Sequence, residues 1–445
     1  MQPAILMTLT RGGQTLNHIG IPGGMGFGVG ICPPQHLAAA PYLAELPGTR
    51  VIGHDQYGNY INDLNGSISC WVPVHYEKIG TGANGLDVNV IGIKSIYDFP
   101  SLAAANVAGY SLPRSMIDGG QIQPGFFYDK YKGSKVAHGT GWVAGSVQNG
   151  NPISAAADHN PIAGLTACSV NQYHEAINAA KARDGVNGAQ AASPLWFPAS
   201  RFQEATIAKL SLAHGQAALS TAHCAWYDPA ANFPKGCNNN ALRDINDLSV
   251  LYVSDGYSNC GKTGSGSPFV RTTHNGQACG IADVNGLLWE INLGITYNST
   301  RAKFYIAKQS TRMRDFTAGN TLATDHWGLT GIDAMMEEVL IPEFGAVGWK
   351  YFGNGANQVL GAAVSGNAWL LAGAGIPQDA NGQSAAGSAL FGNDGLYWAR
   401  ANELCLLSGG TWNLGSYAGV WHVRWNNHRA YSSSYVGFRC AAYLS

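Results

Sequence analysis

The chain has 445 residues, with 26 Lys plus Arg against 27 Asp plus Glu, so its formal charge is -1. This balance supplies no overall field to hold nucleic acid or an anionic membrane, which excludes counterion-driven binding as the main activity. Only 12% of residues are charged, 46% are hydrophobic and 58 are Gly, which excludes a disordered chain and implies a compact, loop-rich body with a substantial core.

The first residues, MQPAILMTLTRGGQT, hold too short an apolar run before Arg11 for a signal peptide, and no long apolar stretch follows. A soluble chain made in the cytoplasm, without membrane insertion, is expected. Residues 1–67 are Gly- and Pro-rich and carry no long amphipathic helix. From Ser67 the sequence SISCWVPVHYEKI is rich in β-branched and aromatic residues and predicts one strand over 67–79, so a domain boundary is placed just before it. Two helices are signalled by Ser three residues before Gln. One is capped by Ser169 with Gln172 and carries Tyr173, Ile177 and Ala180 on one face; the other is capped by Ser200 with Gln203 and carries Phe202, Thr206 and Leu210. Residues 287–298 and 302–309 read as paired strands around an Asn298–Arg301 turn, and residues 333–340 as a short helix stopped by Pro342. The sum is an α+β fold with irregular, Gly-punctuated sheet.

Most chemical motifs fail on inspection. Residues 256–263 match the phosphate-loop formula, but the Gly264–Pro268 segment that follows cannot open the helix whose N–H groups hold a phosphate, so the match reads as a turn. The 13 histidines show no metalloprotease or zinc-finger spacing, and no metal or other cofactor is expected. His174 and His214 read as ordinary surface or satisfied core residues. The oxygen-rich CNNNALRDIND (237–247) lacks the spaced acidic pattern of a Ca²⁺ loop and reads as a polar loop. Nine cysteines without a C-x-x-C pair read mostly as buried thiols.

The C-terminal segment 409–439, GGTWNLGSYAGVWHVRWNNHRAYSSSYVGFR, is different. A framework of Gly409, Gly410, Trp412, Gly419, Val420, Trp421, Val423, Trp425, Arg429 and 436–439 alternates with Asn413, Leu414, Tyr417, His422, Arg424, Asn426, His428, Ala430, Tyr431, Ser433, Ser434 and Tyr435. Every residue type in the second set has a codon reached from the Asn codon AAC by changing only its adenines. Residues 411–438 contain no Lys, Glu or Gln, which that route cannot reach.

This segment resembles the variable region of diversity-generating retroelement target proteins, the class that includes phage tropism determinants. Its end pattern, G-G-x-W and then G-F-R, is also that of the formylglycine-generating-enzyme branch of the same C-type-lectin-like fold. Upstream, PGFFYDKYKGSK (124–135), CWVPVHYEKI (70–79) and NGQACGIADVNGLLWEINLG (275–294) are similar to further family segments in altered form. The resemblance implies a lectin-like ligand-binding domain over 68–445, with residues 1–67 serving assembly or particle attachment. It further implies a non-enzymatic receptor-binding protein of the virion tail, a homotrimer meeting other tail proteins and a host-surface receptor, glycan or protein. The twelve interleaved residues would be its ligand-binding surface, because Tyr, Ser, Asn, His and Arg suit adaptable contacts. Two alternatives share the scaffold: a fixed tail or capsid decoration protein, and an oxidative enzyme. The latter needs reactive cysteines, yet residues 410–439 hold none, and only Cys405 and Cys440 flank them.

Overall fold

The computed structural model describes residues 16–80, 91–229, 234, 239–284, 286–318, 326–327, 331–352, 360, 363–377, 391, 394–415 and 418–444. Among them the chain is α+β, mostly strand, with one long helix. Among the described residues, no helix is long and apolar enough to cross a membrane.

The first of two six-stranded sheets runs Leu43–Glu45, Asn59–Asn62, Ile68–Pro73, Gly125–Asp129, Cys440–Ala442 and Trp196–Pro198. Its central strands are buried almost throughout, as their runs of apolar residues require. Trp71 opposes Phe127 in register, with ring centroids 5.0 Å apart, and its indole N–H donates to Asn17 Oδ1 at 2.9 Å. A buried indole thus keeps a polar partner. The second sheet runs Gly348–Tyr351, Gly395–Trp398, Val423–His428, Leu404–Ser408, Trp289–Asn292 and Val436–Gly437. A third, of Ile295–Asn298, Lys303–Ala307 and Met336–Val339, packs Phe304 against Trp398 and Trp425 of the second, at 5.4 Å each.

The expected strand over 67–79 divides at Val74, whose N–H turns aside to Pro124 O. Its second part, His75–Lys78, pairs instead with Gly92–Ser95. The boundary expected before residue 68 falls between two paired strands, since Asn59 opposes Cys70 and Ile61 opposes Ile68. Ile19, Phe27, Val29 and Ile31 belong to the same core as Trp289 and Trp425.

The Arg201–Ala217 helix forms where the capping box stands: Ser200 Oγ accepts from Gln203 N, and Ser200 N donates to Gln203 Oε1 at 2.9 Å. Every residue from Arg201 to Gly215 is buried. The helix can be enclosed on all sides because its charges find partners: Lys209 pairs with Glu77, and Arg201 donates to Ala374 O at 2.8 Å and Ser408 Oγ at 2.7 Å. The other Ser-initiated helix is corrected: it starts at Glu175, after a His174 N-cap, and Ser169 Oγ donates to Glu175 Oε1 at 3.1 Å. Residues 333–340 are corrected too. Only Ile332–Met335 is helical; Met336–Val339 extends to pair with Lys303–Ala307.

The two sheets are joined by buried charge. The Arg439 guanidinium reaches Glu290 Oε2 at 2.8 Å, Lys130 O at 2.9 Å and Ala282 O. Lys132 donates to the other Glu290 oxygen. Burial alone would push the Glu290 carboxyl up, but Arg439 and Lys132 hold it below the ordinary carboxylate range. Next to it Arg183 pairs with Asp129, whose Oδ2 also accepts from Cys440 N at 3.0 Å. Removing one member of such a network strands the others in a dry interior. Arg439→Met is therefore expected to lower unfolding free energy by about 3–5 kcal/mol, read as an earlier urea midpoint. An unchanged midpoint would show that the network does not hold the sheets together.

Candidate binding surface

The interleaved residues of the C-terminal segment owe their positions to two elements. The first is the Val423–His428 strand, flanked in register by Gly395–Trp398 and Leu404–Ser408. Alternation along it is clean: Val423, Trp425 and Asn427 are buried, Arg424 and Asn426 are half-buried, and His428 is exposed. Trp425, 0% exposed, lies 5.6 Å from Trp398.

Outward, Arg424 stands opposite Tyr397, and Tyr397 opposite Trp349, across three strands. The guanidinium carbon is 5.6 Å from the centre of the Tyr397 ring, and the Tyr397 and Trp349 rings meet edge to face at 5.1 Å. Trp349 and Tyr397 are both half-exposed. A cation over one ring of an aromatic pair offers polar and flat apolar contact together. Trp349 and Tyr397 were not among the expected site residues.

The second element is the return from residue 429 to 435. Its backbone is anchored to buried neighbours. Arg429 O accepts from His174 N and Nδ1, both at 3.0 Å, and Arg429 pairs with Glu403. Tyr431 O accepts from Tyr173 N at 2.9 Å, Ser433 N donates to Ala155 O at 2.8 Å, and Trp289 N donates to Tyr435 O at 2.8 Å. The side chains between these anchors are free to differ: Ala430 is exposed, and Tyr431, Ser433, Ser434 and Tyr435 are half-buried. Tyr431 and Tyr435 rest partly on the apolar core. Tyr435 also meets Trp412 at 5.1 Å, which brings it beside the turn that carries exposed Asn413 and half-buried Leu414. Tyr417 lies outside the described residues.

His422 is a correction. Instead of facing out, it is 0% exposed, with Nδ1 3.1 Å from Asp394 Oδ1 and its ring edge-on to Trp349 at 4.8 Å and Trp289 at 6.3 Å. Asp394 explains it. Its Oδ2 accepts from Trp421 N at 2.7 Å, and burial raises its pKa against the pull of His422. A carboxylate so enclosed needs a donor on each oxygen, and His422 is that donor. His422 therefore belongs with the frame.

The frame residues expected inside are inside. Trp412, Val420, Trp421, Val423, Trp425, Val436 and Phe438 are all buried. Gly409 and Gly410, at φ 88° and 90°, occupy backbone space that side-chain-bearing residues avoid. His174 and His214 are satisfied core residues; His214 accepts from Gly23 N at 3.1 Å, and burial lowers its pKa to about 4. The glycine loop at 256–263 is a turn closed by a Ser254–Gly261 bridge, and residues 264–268 after it are not helical. Eight cysteines are free and buried, while Cys237 lies outside the described residues. In the 237–247 stretch, Asp244 Oδ1 accepts from Asn246 N and Asp247 N, and Asp247 pairs with Arg271.

Comparison with protein-family models finds no match, and comparison with curated proteins finds none either. Trp425→Ala is expected to lower stability by about 3–5 kcal/mol, whereas His428→Ala and Asn413→Ala each change it by less than about 0.5 kcal/mol. Equal losses in denaturant titrations of the three variants would mean that the inward and outward sets are wrongly divided.

Proposed function

We propose that this chain is a binding protein whose C-terminal segment is a replaceable contact surface on a fixed frame. In this reading the fold is C-type-lectin-like and the protein is a phage receptor-binding or tropism-determinant-like component of the tail. It recognises a molecule on the host surface through Arg424, Asn426, His428, Ala430, Tyr431, Ser433, Ser434, Tyr435, Asn413 and Leu414.

The observation that carries the reading is the division of one strand into two faces. Arg424, Asn426 and His428, all of types reachable from AAC, are the positions that the alternation of Val423–His428 turns away from the core, whereas Trp425, a type that route cannot reach, is turned inward with Val423 and Asn427. Side chains on that face can change without opening a cavity, because the buried tryptophans and the Arg439 network carry the packing. Aromatic rings at Trp349 and Tyr397 extend the face beyond the diversified segment and would supply constant contact area beneath a changing rim.

Two further features agree with binding over oxidative catalysis. A thiolate is the reactive form of cysteine, and burial pushes the Cys440 thiol up to about 12. Cys405, on the other flank, is 1% exposed with its thiol directed at Glu403 O at 3.5 Å.

The triple variant Arg424→Ala, Asn426→Ala, His428→Ala is expected to lose host-cell adsorption by at least about 100-fold while its melting temperature stays near that of the parent. Full adsorption by the variant would contradict the reading. Sequencing the locus is a second check: a near-copy of the last coding stretch, differing at template adenines and lying beside a reverse-transcriptase frame, is expected. Its absence would favour a fixed decoration protein.

A further inference from the structure

Behind the 433–435 turn, side chains from two distant parts of the sequence converge. A ring nitrogen of His159, a carboxylate oxygen of Asp255 and Cys260 Sγ all lie within 4.8 Å of one another. The His159 and Asp255 side chains are 1% and 0% exposed, and Cys260 is fully buried. Asp255 and Cys260 stand at the two ends of one tight turn, closed by Asp255 N donating to Cys260 O at 3.0 Å.

The protons of the His159 ring can be assigned from its neighbours. Nδ1 lies 3.0 Å from Ser434 O, and a carbonyl oxygen only accepts, so Nδ1 carries a hydrogen. In a neutral ring Nε2 then presents a lone pair, and it presents it to Asp255 Oδ2 at 2.7 Å. Two electron pairs face each other there, and a positive charge between them must reconcile them. A proton is one candidate and a metal ion the other. A thiol sulfur beside the pair is a feature that a proton does not need and a metal uses.

We propose that His159, Asp255 and Cys260 form a three-ligand site for a zinc-class divalent ion. One nitrogen, one oxygen and one thiolate are ligands that Zn²⁺ accepts in tetrahedral array at about 2.0–2.3 Å each. Three protein ligands leave a fourth position for water or a ligand group. The outer contacts match those of metal-bound side chains: the spare imidazole N–H is fixed by a backbone carbonyl, and Asp255 is oriented by Tyr257 N at 2.8 Å and Asn160 Nδ2 at 3.3 Å. Closing on a metal requires His159 and Asp255 to part by about half an ångström, to the roughly 3.3 Å between tetrahedral N and O ligands, and the Cys260 sulfur, within 4.8 Å of them, to stand about 3.6 Å from each. The half-exposed Tyr257, stacked on the His159 ring at 4.2 Å, is the cover. Because Ser434 O is the partner of His159, metal binding would hold the return turn of the diversified segment in place while its side chains change.

The test uses the reduced full chain, stripped with a chelator and titrated with Co²⁺ as a spectroscopic stand-in and then with Zn²⁺. One equivalent of Co²⁺ with a sulfur-to-cobalt charge-transfer band, displaced by Zn²⁺, is expected, together with a Zn²⁺-dependent rise in melting temperature. Cys260→Ser should remove the charge-transfer band and weaken Zn²⁺ binding by about 100-fold, and Asp255→Asn should weaken it similarly while keeping the band at saturating Co²⁺. No Co²⁺ binding by the parent chain would overturn the proposal and leave a proton-bridged pair. A charge-transfer band unchanged in Cys260→Ser would overturn it by placing the metal on another cysteine.

Discussion

The structure depends on one buried guanidinium. Arg439 lies between the first sheet, through Lys130 O, and the second, through Glu290. The tail strand that follows at once, Cys440–Ala442, is inserted between Gly125–Asp129 and Trp196–Pro198. A charge this deep is tolerated because its donors meet a carboxylate and backbone carbonyls, and because Lys132 and Arg183 bring matching acids into the same interior. The polypeptide is therefore pinned immediately after the C-terminal segment 411–438. On its other side, Trp412 N donates to Leu287 O at 3.1 Å. What lies between these two fixed points can vary in side chain without varying in path.

That arrangement separates two tasks that compete in most binding surfaces. Contact residues usually also pack, so changing them lowers stability. Here packing is assigned to Trp421, Trp425, Val436 and Phe438, and display to the positions between them. Backbone groups of the return turn bond to Tyr173, His174, Ala155, Trp289 and His159 outside the segment, beside the Tyr431 N to His428 O and Val436 N to Ser433 O bonds within it. Diversity in the side chains leaves these bonds intact, since they are made by main-chain atoms.

Local signals in the sequence were legible where local physics decides. The Ser200–Gln203 capping box placed the start of the long helix, because both halves of the box are made by neighbouring residues. The inward Trp425 and the outward Arg424, Asn426 and His428, expected from residue type and the family resemblance, fall on opposite faces because the Val423–His428 strand has a two-residue period. Long-range pairing stayed hidden. Met336 and Val339, both buried, fit a helix face as well as an alternating strand end, and only pairing with Lys303–Ala307 selects the strand. Ser169 had the look of a cap, yet Tyr173 and His174 are held by the 429–431 backbone, so the helix begins after them. His422 fits the diversified residue types and was misplaced because Asp394, 28 residues away, draws it inside. Trp349 and Tyr397 share a row with Arg424 only through strand register, which spacing does not encode. His159 is likewise 96 residues from Asp255, too far to form a recognisable motif with it and Cys260.

The central claim is that one set of side chains holds the segment and another is exchangeable. Residues 411–438 can be randomised with codons of the NNK type, which encode every amino acid, the folded variants selected by resistance to protease, and the surviving residues counted at each position. The account predicts near-uniform tolerance at Asn413, Arg424, Asn426, His428 and Ala430, and strong retention at Trp412, Trp421, His422, Trp425, Val436 and Phe438. Retention at the first group as strong as at the second would contradict it.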